Sequence, residues 1–260
     1  MTHQSLTEPW DDGRAAIGGW VSRGHDFTID MFRRAGYDFV GIDCQHTPVD
    51  ESTVASMLAH TPAGSPATLV RVSKNDASLI GLLADAGADG VIVPMVSTVD
   101  EAAAAVAAVH YPPRGIRSYG PMRPDLPMQD LQAMAARVSI FVMIETEEGL
   151  TNVEEIAAVP GVAGIYVGPS DLSIALGLDP ALGFESDQLV EPVERIRQAC
   201  EKSGVVLAMH QVRAADAVRW IERGVRLVSI SDRFMLFAAA VAELERAREA
   251  TPPGPGTPRR

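Results

Sequence analysis

From residue 15 to residue 248 the chain repeats one alternation: a short β-branched run, then a longer amphipathic run that often closes on Ala-Gly, Gly or a Gly-x-x turn. The short runs are AIGGWV, FVGID, TLVRV, GVIVPMV, IFVMIE, GIYVG, VVLAMH and RLVSIS. Between them lie DESTVASMLAH, DASLIGLLADAG, TVDEAAAAVAAVHY, TNVEEIAAV, QLVEPVERIRQACEKSG and AADAVRWIERG, which read as helices. The short runs are apolar nearly throughout, so both faces of each strand are covered, as in a parallel sheet. Gly36, Gly87, Gly204 and Gly224 stand where helix C-terminal caps belong. About eight strand–helix units predict an α/β fold, a (β/α)8 TIM barrel in a single domain. The barrel is expected over residues 15–250, after an N-terminal extension, 1–14, and before a Pro/Gly-rich tail, 251–260, expected to be disordered. The competing architecture is an open doubly wound sheet. No GxGxxG or GxxxxGK[ST] follows the first strand, which weakens a nucleotide-binding version of it.

Composition narrows the partners. The 260 residues carry a net charge of -12 with no Lys/Arg cluster, so the surface repels nucleic acid and anionic membranes. No apolar run reaches the ~18 residues of a membrane span, and MTHQSLTEPWDDGR has no apolar core of a secretory signal. Cys44 and Cys200 make neither a CxxC pair nor a disulfide framework, so a reducing, cytoplasmic compartment is expected. Residues 111–128, YPPRGIRSYGPMRPDLPM, form one long irregular stretch that is locally basic, and long loops in compact domains often carry function.

Chemistry in such a barrel sits where strands end. The strand ends offer Asp43, Gln45 and His46, then Arg71, Glu145, Asp171, His210, and finally Ser231 with Asp232. Any one of these also suits a solvated loop or a helix cap. Asp171 in particular, in GIYVGPSDLSIALG, could N-cap the next helix.

Glu145 and Asp171 end successive strands and could converge. Two close carboxylates without a cation drive one pKa up, and a divalent ion removes the conflict. Two carboxylates with water and substrate oxygens suit Mg2+. The Gly168-Pro169-Ser170 turn leads into a helix start whose N–H groups favour an anion such as a substrate carboxylate. Arg71 follows three apolar residues and could stabilise an enolate oxygen, or simply pair with Asp43 or Asp85. His46 is a natural general base at neutral pH. Asp85 lies near a helix C-terminus, where the dipole disfavours an acid, so it needs a specific partner. His210 reads equally as a supporting residue or as packing, and Cys44 beside His46 lacks the oxyanion-hole motif a thiolate nucleophile would need.

The blocks AGYDFVGIDCQH, VRVSKND, DAGADGVIVPMVSTVDEAAAAV, YPPRGIRSYG, IETEEGLTNVEEIAAVPGV and YVGPSDLSIALG resemble the HpcH/HpaI family of class II 2-oxo acid aldolases, from about Ala16 to about Leu244. The resemblance implies a barrel assembled as a homo-hexamer, a trimer of dimers that exchange the last helix. It implies a divalent metal, Mg2+, Mn2+ or Co2+, held by Glu145 and Asp171, and pyruvate bound through its carboxylate and keto oxygens. Backbone around Gly168, Pro169, Ser170 and Asp171 would hold that carboxylate. Arg71 would steady the enolate, and His46, with Asp85 or Asp43, would move protons by way of a water.

Two places depart from the family's pattern. DCQH carries Gln45 where the family has Glu, and SYGPMRPDL differs from the usual loop, which makes Arg123 and Tyr119 candidates for reading a different acceptor group. The expected activity is a lyase cleaving or forming 4-hydroxy-2-oxo acids from a 2-oxo acid and an aldehyde. The alternatives are a citrate-forming synthase or an acyl-CoA lyase of the same superfamily, or a non-catalytic barrel that binds a small acid.

Overall fold

In the computed structural model, residue 6 and residues 8–22, 26–62, 65–180 and 187–249 are described. Eight short parallel strands follow one another around a closed barrel. They are β1 (Ala16–Val21), β2 (Phe39–Asp43), β3 (Ala67–Arg71), β4 (Gly90–Val93), β5 (Ser139–Ile144), β6 (Val162–Val167), β7 (Val206–Gln211) and β8 (Leu227–Ser231). β8 pairs with β1, Ala16 opposite Leu227 through Trp20 opposite Ser231, so the sheet has no edge. The open-sheet alternative is thereby excluded.

The longer runs become helices on the outside, among them Glu51–Ala59, Ala77–Ala86, Val99–Val109 and Val190–Ser203. Their starts are set by side chains: Asp50 accepts from the Thr53 N–H, Asp76 from the Ser78 N–H, and Thr98 with Glu101 forms a capping box. Gly87 and Gly204 end two of them at φ 99° and 68°, the left-handed conformation expected of these glycines. The run TNVEEIAAV does not make one helix. It divides at Asn152 between Glu147–Thr151, capped by Thr146, and Val153–Ala157.

Residues 111–128 contain no helix or strand, as expected, but the basic character is internal. Arg117 is buried, donates to Asp85 at 2.7 Å and lies over the Tyr111 ring at 4.9 Å. Arg123 is buried on Asp125 and donates to the Leu58 carbonyl. Its stem packs on Gly87, where a Cβ would come within 2.5 Å of Arg123 Cδ. Both arginines therefore fasten the loop to the helix layer. At the other end of the barrel, Leu6 joins the inward-facing cluster and Trp10 Nε1 donates to the Arg226 carbonyl, so this part of the N-terminal extension seals the bottom. The expected tail, 251–260, lies outside the described residues.

The barrel interior follows the two-residue period of a strand. Ala16, Trp20, Phe39, Ala67, Leu69, Ile92, Phe141, Met143, Tyr166, Ala208 and Leu227 form one inner cluster. Glycines alternate with the large ones because the centre cannot hold more. A Cβ on Gly18 would lie 2.2 Å from the Phe39 ring, one on Gly41 2.4 Å from Trp20, and one on Gly164 2.8 Å from Phe141. Gly18→Ala should therefore destabilise the protein by about 1–3 kcal/mol through overpacking. Urea unfolding measures this, and a change within about 0.5 kcal/mol would mean the centre has slack.

Candidate active site

Continue the same period one step beyond the apolar floor, and the next inward positions are polar: Asp43 on β2, Arg71 on β3, Glu145 after β5, His210 on β7 and Ser231 on β8. With Trp20, all of these except Glu145 line a cavity of about 290 Å3 at the C-terminal ends of the strands, further lined by His46, Tyr166, Gly168, Pro169, Ser170, Asp171, Arg233 and Phe234.

Asp43 and Arg71 face each other in register across β2 and β3. Arg71 Nε lies 2.9 Å from Asp43 Oδ1 and Nη2 lies 2.7 Å from Oδ2, a bidentate buried pair. Burial alone would raise the Asp43 carboxyl, but the Arg71 hydrogen bonds and charge outweigh it and hold it below the ordinary range. Arg71 in turn stays charged and lies over the Trp20 ring at 5.3 Å. Arg71 is thus paired with Asp43 and also lines the cavity.

Glu145 is 2% exposed. Its Oε1 accepts the Met95 N–H at 2.7 Å, while Oε2 has no hydrogen-bond partner among the described residues. Met95 adopts φ 58°, a left-handed conformation rare outside glycine, at the turn that presents this N–H. Gly168 makes room for the carboxylate, since a Cβ there would lie 2.4 Å from Oε2. Burial pushes the Glu145 carboxyl up from 4.5 to about 7, and the Asp171 charge pushes the same way against Arg71 and the Met95 N–H.

Asp171 is not a cap. The helix Pro169–Ala175 has Gly168 at its N-cap position and no side-chain capping bond. Asp171 stands within the first turn, on the cavity wall. An orphaned buried carboxylate oxygen, a second carboxylate that raises its pKa and a glycine that clears space between them fit a divalent cation with hard oxygen ligands. Among the described residues no group of three or more His, Cys, Asp or Glu gathers, so the remaining ligands of such an ion would be water and substrate.

His46 is exposed and lines the cavity, with its backbone N–H 3.5 Å from Asp43 Oδ1. Gln45 N–H donates to the same oxygen at 3.0 Å, and its own Oε1 is buried without a partner among the described residues. Asp85 does not join them: its carboxylate is held by Arg117, away from the cavity-lining residues. Arg123, tied down as described, does not line the cavity either. Burial and the charges of Glu51 and Asp43 push the Cys44 thiol up to about 12, which removes the thiolate option. Asp232 accepts from the Ser22 backbone and hydroxyl, joining the ends of β1 and β8. Trp20, Tyr166 and Ser229 went unnoticed as site residues, although the two-residue period places them inward. Nothing in the sequence marks Met95, because a left-handed non-glycine has no local signature.

A family model described as HpcH/HpaI aldolase/citrate lyase matches residues 16–239. The chain belongs to the HpcH/HpaI aldolase/citrate lyase family. It is 40% identical to a hydroxypyruvate/pyruvate aldolase of Rhizorhabdus wittichii over 197 residues, 75% of this chain and 78% of that one. Its fold matches the crystal structure of an HpcH/HpaI family protein from Burkholderia cenocepacia with a TM-score of 0.84 at 32% identity, covering 94% of this chain and 99% of that one. It also matches the citrate synthase SbnG with a TM-score of 0.82 at 26% identity, over 95% and 98% of the two chains. The residues gathered at the strand ends, Arg71, Glu145 and Asp171, come from the blocks that carry the family resemblance.

The direction of the Glu145 shift gives a pH test. A carboxyl raised by burial leaves stability intact below its ordinary value and costs stability as pH rises through about 7. The metal-free protein should lose on the order of 3 kcal/mol at most between pH 5 and pH 8 from this group. Glu145→Gln should abolish that slope and a divalent cation should offset it. Thermal melts across this range read the effect, and parallel profiles for both proteins would contradict it.

Proposed function

We propose that this protein is a divalent-metal-dependent aldolase that cleaves or forms 4-hydroxy-2-oxo acids through a pyruvate-type enolate. The observation that carries the reading is the Glu145 carboxylate, buried with one oxygen unpartnered, beside Asp171. Family membership supports the reaction class, and a citrate-forming relative of high structural likeness keeps a condensing synthase as the second reading.

In this reading Glu145 and Asp171 hold the metal, whose Lewis acidity favours the enolate. The chain's own groups do the rest. The turn Gly168, Pro169, Ser170 and Asp171 receives the carboxylate of the 2-oxo acid at the helix start. Arg71, kept charged and aimed by Asp43, places a fixed cation by the enolate oxygen without reorganising as charge develops. His46 takes the proton from the 4-hydroxyl in cleavage and returns one in synthesis, by way of a water. Asp85 takes part with His46 only if its pairing with Arg117 is exchanged. Mg2+, Mn2+ and Co2+ all suit the carboxylate pair.

The test is pyruvate release from a panel of 4-hydroxy-2-oxo acids, with EDTA as the control. Asp171→Asn should keep the fold, with a stability change of about 1 kcal/mol or less, because the residue is not a cap. It should weaken metal binding by at least about 10–100-fold, the cost of losing even an outer-shell partner. Near-wild-type activity and metal affinity in Asp171→Asn would refute the reading. His46→Ala should keep pyruvate binding and lower turnover by roughly 10²–10⁴-fold.

The last helix supports an assembly of several copies. Asp232–Glu249 leaves Phe234, Leu236, Phe237, Val241 and Leu244 exposed in the single chain. A face this apolar is stable only when covered. We place it at an interface with another copy, in a homo-oligomer such as a hexamer built as a trimer of dimers that exchange this helix. Light scattering should give a multiple of the single-chain mass, lowered by Phe237→Glu, and a monomer at micromolar concentration would contradict the assembly. Among the described residues no helix is long and apolar enough to cross a membrane. Both cysteines are free and buried, in keeping with a reducing, cytoplasmic setting.

A further inference from the structure

The backbone N–H that holds the Glu145 carboxylate is not itself held by a strand. The ladder between β4 and β5 stops at Val93 opposite Val142, so strand pairing does not fix where Met95 lies. Yet the Met95 N–H sits 2.7 Å from Glu145 Oε1, in a left-handed turn at φ 58°. The Met95 side chain is 53% exposed, so its own burial does little to offset that conformation. Neighbouring groups must hold the turn.

They meet at Ser97. Its Oγ lies 2.7 Å from Thr146 Oγ1, a bond that stands whichever hydroxyl donates. Asn152 Nδ2 donates to the Ser97 carbonyl at 2.8 Å, and the Ser97 N–H donates to Glu101 Oε2 at 2.8 Å. Beside them the start of the helix Glu147–Thr151 presses on the loop: a Cβ on Gly149 would lie 2.7 Å from the Val96 carbonyl oxygen. Helix capping does not account for these ties. Thr146 caps through the Gly149 N–H at 2.9 Å and needs no Ser97 hydroxyl to do so. Asn152 stands at the N-cap position of the helix Val153–Ala157, a place where asparagine usually caps, and its side chain makes no capping bond. Its amide reaches the loop instead.

We propose that Ser97, Thr146 and Asn152 form a clamp that positions the Met95 N–H on Glu145 and thereby sets how tightly the site holds its divalent cation. The clamp rests on these hydrogen bonds alone, and its consequence for the cation rests on the metal reading of Glu145 and Asp171. With Oε1 held, Oε2, beside Gly168, is the oxygen left for a cation. A carboxylate fixed in advance has less freedom to lose when the ion arrives, and partners behind a ligand tune affinity in this way. None of the three side chains lines the cavity, so they are positioning residues.

The test is the double variant Ser97→Ala/Asn152→Ser. Alanine removes the hydroxyl, and serine can still cap Val153–Ala157 but is one bond too short to reach Ser97. Hydrogen exchange of the metal-free protein, followed by mass spectrometry, should show the Met95 amide exchanging roughly 10-fold faster or more than in wild type. The melting temperature should shift by no more than about 5 °C. Mn2+ affinity, read from the free-ion signal in electron paramagnetic resonance, should fall by roughly 10–100-fold. Ser97→Thr, which keeps the hydroxyl, should match wild type in both. If the double variant fails to fold, Ser97→Ala alone, which leaves the Thr146 cap intact, reads the same quantities with smaller changes. Unchanged exchange at Met95 overturns the clamp. Faster exchange with unchanged Mn2+ affinity overturns its consequence for the cation. If wild type binds Mn2+ no better than Glu145→Gln does, it is the metal reading that fails, and the exchange result still decides the clamp.

Discussion

Closing eight parallel strands into a barrel leaves a central volume that the inward side chains must fill, and they come at every second residue. That constraint sorts the whole chain. Below, it forces glycine opposite each large ring, as Gly18 meets Phe39 and Gly41 meets Trp20. Above, the same period brings Asp43, Arg71, Glu145 and His210 to the same end of the barrel, although they lie far apart in sequence. The apolar floor beneath them excludes water. Electrostatic interactions at the top are correspondingly stronger and unpaired polar atoms more costly.

The two buried acids show how this environment divides labour. Asp43 has a bidentate arginine and remains ionised despite burial. Glu145 has a single backbone donor and an orphaned oxygen, and its carboxyl is driven up to about 7. Pairing outweighs desolvation in the first case and not in the second. A site finished by its own residues would not leave that oxygen bare. Glu145 keeps one oxygen without a hydrogen-bond partner among the described residues, and the left-handed turn at Met95, with Gly168 beside the carboxylate, holds it in place.

Much of this was legible in the sequence. The alternation of strand and helix runs and the glycine caps specify a barrel, and GIDCQH, TLVRV, FVMIET and YVGPSDLS name the strand ends. What the sequence left open was pairing. Asp43 and Asp85 were equal candidates for Arg71. Register decides for Asp43, because β2 and β3 place it directly opposite, while Asp85 meets an arginine from the irregular loop. The basic loop misled for a related reason: Arg117 and Arg123 are used up inside the fold. For Asp171 a helix cap stood as the alternative to a metal ligand, and the structure removes the cap: the helix begins at Pro169 and carries the acid inside its first turn. The left-handed turn at Met95 depends on backbone geometry, for which local residue types give no sign.

The central claim is that Glu145 and Asp171 together hold a cation on which the 2-oxo acid is bound. Anomalous diffraction at the manganese edge, from crystals soaked with Mn2+ and pyruvate, tests it most directly. The account predicts one strong peak between the two carboxylates, at roughly 2.0–2.3 Å from an oxygen of each. The pyruvate carboxylate and keto oxygens should complete the coordination on the Gly168–Asp171 side. Manganese bound elsewhere, or pyruvate seated in the cavity with no metal between Glu145 and Asp171, would contradict it.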